Sequence, residues 1–187
     1  MPRRILLACF LAYTSQFHTW PALAQDVSFG NEFSLSSVRF FHRFTKNDQH
    51  EYTPASQRDL TAWTDMVTIL VYRKANDDKK LAAIAESARE KYKAVGRVLR
   101  AETVLNADSK STEHLTVVVV GTPMYLEAVF ARFRMQEGIG TAAIYCHRIY
   151  GDKVGDQMSA WLRKHGVATE NSLLAWSQMP KLSELKK

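Results

Sequence analysis

Two dipeptides, His42-Arg43 and His147-Arg148, fall in stretches that read as extended strand, and Arg132 and Arg134 recur on one side of a third. Imidazole and guanidinium groups with Tyr125, Tyr145 and Tyr150 close in sequence suit an anionic ligand or an acidic protein segment. Guanidinium matches a carboxylate or phosphate through a planar fork of N–H donors. Arg132, Arg134, His147, Arg148, His42 and Arg43 are therefore the candidate binding residues. The competing reading pairs these arginines with carboxylates such as Glu127 on the outer side of an antiparallel sheet.

Signals for catalysis are sparser. His42, His50, His114, His147 and His165 are scattered, with no His-x-x-x-His and no Cys-x-x-Cys. Zinc draws three or four ligands to about 2.0–2.3 Å, which normally leaves some of them close in sequence, so no metal site is expected. Gly138-Ile139-Gly140 reads as a hairpin tip, not as a phosphate cradle at a strand-to-helix turn, and no cofactor is expected. There is no Gly-x-Ser-x-Gly elbow. Cys146 and His147 cannot form a local dyad, because strand neighbours point to opposite faces. Cys146 reads first as a small buried hydrophobe, and second as a candidate reactive thiol needing a base from another segment. Asp65 and Glu127 are isolated acidic residues within strands. No catalytic residue is assigned, and the reading leans away from an enzyme.

The amino terminus reads as an export signal. Arg3 and Arg4 precede an apolar stretch from Ile5, and Pro21-Ala22-Leu23-Ala24 supplies the small residues of a cleavage site. The expectation is a cleavable signal peptide over residues 1–24, a single domain over 25–181 and a flexible end over 182–187. Leu6-Leu7-Ala8-Cys9 loosely matches a lipidation motif, but cutting there leaves too short an apolar segment. Nothing later approaches the roughly 20 apolar residues of a membrane-spanning helix. The chain is thus expected to be periplasmic or secreted, without a transmembrane segment once cleaved. Cleavage removes Cys9, leaving Cys146 without an intramolecular disulfide partner. The formal charge of +6 over 187 residues falls by two, and the charges are interleaved. Nucleic-acid binding, which usually shows a concentrated basic face, is not expected.

These residues need elements to hold them. Residues 33–45 and 63–72 read as two strands, separated by turn residues in 47–54. Asn76-Asp77-Asp78 offers caps for a long helix reaching about Arg100, with Leu81, Ile84, Ala85, Ala88, Tyr92, Val95 and Leu99 in one stripe. Residues 115–120 read as a buried strand, and 125–135 with 141–150 as a hairpin. A helix to His165 follows, stopped by Gly166, and then a short one capped by Thr169.

This order predicts an α+β fold: a mainly antiparallel sheet of about five strands, with a long crossover helix and C-terminal helices packed on it. In element order alone it resembles the small sandwiches of the PsbP and Mog1 type, and the resemblance carries over no residue or activity. The functional expectation is an exported, non-catalytic binding or assembly protein acting through a protein partner in the bacterial cell envelope. Behind it stand a periplasmic carrier or sensor of a small anion or lipid, and an enzyme with dispersed catalytic residues.

Overall fold

β-Branched and aromatic residues at alternating positions favour pleated strands, and the chain contains more of them than its most regular segments suggest. The computed structural model describes residues 32–105, 111–122 and 124–185. The signal-peptide reading over 1–24 lies outside these.

The strands are β1 (Glu32–Leu35), β2 (Val38–Lys46), β3 (Gln49–Pro54), β4 (Asp65–Tyr72), β5 (Gly96–Leu105), β6 (Thr112–Thr122), β7 (Tyr125–Gln136) and β8 (Ile139–Tyr150). Helix α1 (Asp78–Val95) joins β4 to β5, and α2 (Val154–Leu174) follows β8. All eight strands form one open antiparallel sheet in the order β1-β2-β3-β4-β8-β7-β6-β5. The expectation of five strands under a crossover helix and several C-terminal helices is therefore corrected, and with it the PsbP/Mog1-type architecture. The fold is mostly sheet, with two α-helices among the described residues.

Each departure has a local cause. Residues 33–45 are two strands because Ser36 and Ser37 take φ of 50° and 65°, closing a tight hairpin without the usual Gly or Asn. Asn47 and Asp48, at φ of 49° and 63°, are likewise only the two-residue tip of a hairpin whose return arm is β3. The long helix stops at Val95. Gly96 starts β5, where an added Cβ would lie 2.4 Å from the Val119 carbonyl oxygen, so the approach to β6 requires glycine. Gly166 stops nothing: it is buried within α2, which runs unbroken to Leu174.

The sheet lies between two apolar layers. On one face α1 lays Leu81, Ala85 and Ala88 against Met66, Val118, Val129, Phe133 and Ile144. Asp77 caps this helix, its carboxylate accepting from the Lys80 N–H at 2.7 Å. On the other face α2 and the chain after it cover Phe40, Tyr52, Val67, Val117 and Phe130 with Met158, Leu173, Trp176 and Leu185.

Candidate functional site

The sheet divides the six candidate binding residues. Arg132 is 2% exposed on the α2 side. Its Nε and Nη2 donate to the two Glu113 oxygens at 2.6 and 3.0 Å, and Nη1 donates to the Leu173 and Trp176 carbonyls at 2.7 and 3.2 Å. One guanidinium thus satisfies a carboxylate from β6 and the orphan carbonyls at the end of α2, where positive charge also suits the helix dipole. Arg134 stands 3.9 Å from the same Glu113, and burial and the neighbouring Arg132 cation lower its pKa.

Arg148 faces the α1 side. Its Nε and Nη2 donate to Glu127 Oε2 at 3.0 and 2.7 Å, and its guanidinium carbon lies 3.8 Å from the Trp63 ring centroid and 4.1 Å from that of Tyr125. This is a cation enclosed by aromatic faces and a carboxylate. Burial pushes the Glu127 carboxyl up against the pull of Arg148. Cys146 is 1% exposed on the same face. Arg132 and Arg148 therefore act as internal fasteners, with donors spent on protein acceptors. Sequence could not name Glu113 as a partner, because strand register across 19 residues brings it to Arg132.

Arg43 occupies the bulge in β2, donating to Thr53 Oγ1 at 2.9 Å and to the Pro54 carbonyl at 3.0 Å. His42 points to the other face, its ring edge-on to Tyr52 with centroids 5.4 Å apart. His42 Nε2 meets Thr45 Oγ1 at 2.7 Å, and the same hydroxyl meets His50 Nδ1 at 3.0 Å. His50 is 3% exposed, and burial, the largest influence, lowers its pKa. It borders a cleft of about 460 Å³ with Asp48, Arg73, Leu182 and Ser183.

His147 anchors the remaining cluster. Asp65 in β4 lies directly across from it, and Asp65 Oδ1 accepts from His147 Nδ1 at 2.9 Å and from the Tyr145 hydroxyl at 2.7 Å. Gln57 and Thr64 donate to Oδ2 at 3.1 and 3.0 Å. Burial would raise the Asp65 pKa, but bonds from His147, Tyr145 and Gln57 outweigh it and hold the carboxyl at about 2. The carboxylate thereby keeps the imidazole proton on Nδ1, and Trp161 of α2 stacks on the ring. This is the orienting half of an acid–base arrangement. Among the described residues, no hydroxyl or thiol is bonded to His147 to complete it. Asp65 and Trp161 read in sequence as an isolated acid and a core aromatic, and only strand pairing shows their connection.

The remaining feature is an edge. β5 ends the sheet, with ten residues and no strand on its outer side among those described. Leu99 and Leu105 are 45% and 69% exposed. The opposite edge, β1, has only four residues. Natural sheets usually shorten or cover their edges, because open rows of N–H and C=O groups template pairing with another strand. Reading residues 96–100 as helix concealed this edge, and Gly96 inside the stripe was the signal against it.

Compared with known proteins, the chain matches no family model and no curated sequence.

Proposed function

We propose that this is an exported, non-catalytic binding or assembly protein of the cell envelope that engages an extended segment of a protein partner along β5. The observation that carries the reading is the ten-residue edge, unpaired on its outer side among the described residues, with its exposed leucines. An added strand gains main-chain hydrogen bonds along such an edge, while side chains at alternate positions select the sequence. Arg132 and Arg148 support this by exclusion: their donors face Glu113, Glu127 and backbone carbonyls, leaving little for a ligand. No helix among the described residues is long and apolar enough to cross a membrane.

Capture from envelope extract, comparing wild type with Leu99→Lys/Leu105→Lys, tests the reading. Lysines on an edge oppose strand addition, and both positions are exposed, so folding stability should change by no more than about 0.5 kcal/mol. The reading expects one partner set to be lost in the variant. Capture indifferent to these lysines would refute it.

A second reading, a carrier of small anions, draws on the cleft beside His50, whose lining cation is the exposed Arg73, with Nε and Nη2 donating to Asp48 Oδ1 at 2.9 and 2.7 Å. An anion panel in a thermal-shift assay tests it, with a rise in melting temperature abolished by Arg73→Ala as the supporting result.

A further inference from the structure

We propose that the strand added to β5 is β5 of a second copy, paired antiparallel about a two-fold axis through Ala101. This rests on reading β5 as a recognition edge, and names the occupant.

The β5 strand is self-complementary. An isologous interface needs a strand whose sequence fits its own reverse. Opposing Ala101 to Ala101 sets Arg100 against Glu102 of the second copy, and Glu102 against its Arg100. All four side chains lie on the α2 face, since Arg100 and Glu102 sit beside Val117 and Leu115 of β6. Within one chain Arg100 already touches Glu102 at 2.7 Å and Glu170 at 2.8 Å. Pairing would turn two such doublets into a square of alternating charge, and opposite charges directly across strands stabilise a ladder. Ala101, on the axis, presents only a methyl group.

The rest of the strand fits the same axis. Leu99 is an extra residue in the pairing with β6, between Val98 and Arg100. With Val98 and Leu99 together opposite Thr103 of the second copy, Arg97 meets Val104 and Gly96 meets Leu105. Each pair then shares a face of the sheet, because Arg97 and Val104 both lie on the α2 side while Val98 and Thr103 both lie on the α1 side. The whole of Gly96–Leu105 is used, with nothing left over at either end. The product is one continuous sheet through two copies.

Charge reversal tests this. In Arg100→Glu the axis opposes Glu to Glu, and in Glu102→Arg it opposes Arg to Arg. In a mixture of the two variants every cross-strand pair is opposite in sign. Expressed as the full chain, purified and followed by light scattering, wild type should dimerise. Each variant should do so about tenfold or more weakly, and the equimolar mixture should recover a heterodimer. Near-ultraviolet circular dichroism checks that each variant is folded. A monomeric wild type, a dimer indifferent to both reversals, or folded variants that fail to recover on mixing would overturn the proposal.

Ala101→Cys supplies a test that needs no charge change. Residues paired on the axis have Cα atoms about 4.5–5.5 Å apart, within disulfide range. Mild oxidation should link two copies through position 101, whereas Leu105→Cys, which faces Gly96, should not self-link. Absence of an Ala101→Cys dimer would contradict the register. A monomeric wild type whose partner capture is still lost in Leu99→Lys/Leu105→Lys would remove self-pairing and leave the edge reading intact.

Discussion

The imidazole of His147 lies parallel to the indole of Trp161, with ring centroids 4.1 Å apart and planes 6° from coplanar, while its Nδ1 donates to Asp65. Strand β8, strand β4 and helix α2 thus meet at one ring, and the Asp65 carboxylate fixes its orientation.

Asp65 should make stability depend on acid. Its pKa falls from 3.8 to about 2 on folding. A carboxyl depressed by folding contributes stability above its unfolded pKa and loses it as pH drops toward the folded value. The loss should therefore span the interval between about pH 4 and pH 2, amounting to about 2 kcal/mol. Urea unfolding of wild type and Asp65→Asn across this range should show a smaller pH dependence in the variant. Equal slopes would mean that the carboxylate is not held as described.

The Arg132–Glu113 pair should be costly to break and cheaper to replace. Arg132→Met takes both short guanidinium bonds from the buried Glu113 carboxylate, with Arg134 still 3.9 Å away, and removes the donor to the Leu173 and Trp176 carbonyls. The loss expected is about 3–5 kcal/mol. Arg132→Met/Glu113→Leu removes the buried carboxylate as well and should recover part of it. Chemical denaturation measures both, and hydrogen exchange should show the end of α2 opening first in the single variant.

Gly96 should tolerate no side chain. An added Cβ meets the Val119 carbonyl oxygen at 2.4 Å and Val120 Cγ1 at 2.7 Å. Gly96→Ala should therefore cost about 1–3 kcal/mol, the range for overpacking. It should also accelerate hydrogen exchange in β5. Gly155, with nothing within 4 Å of an added Cβ, is the control.

His50 predicts a second pH effect, at milder acidity. Its folded pKa lies below 6.5, chiefly through burial, with Arg73 also lowering it and Asp48 opposing. Protonation is therefore harder in the folded state, so stability should decline as pH falls through 6.5. His50→Gln should flatten that decline. His114 is lowered in the same direction, so a residual slope is expected.

The sequence was most legible where periodicity and punctuation agree. The β7–β8 hairpin combines alternating apolar positions with a Gly-bearing tip, and the start of α1 is marked by Asp77. β3 was hidden because Gln49, His50 and Glu51 give a strand a polar surface beside turn residues. β5 was hidden because Val95 and Leu99 continue the helical spacing past the point where pairing with β6 takes over. The candidate residues were found as types, but their roles depend on contacts distant in sequence. Glu113 reaches Arg132 across 19 residues, and Asp65 reaches His147 across 82.

The most direct measurement places a photo-crosslinking residue at Leu99, Thr103 or, as control, Lys91 on the outer side of α1, in cells making the full chain. Protein adducts are expected from positions 99 and 103 and none from 91. Adducts confined to position 91, or none at all from β5, would contradict it.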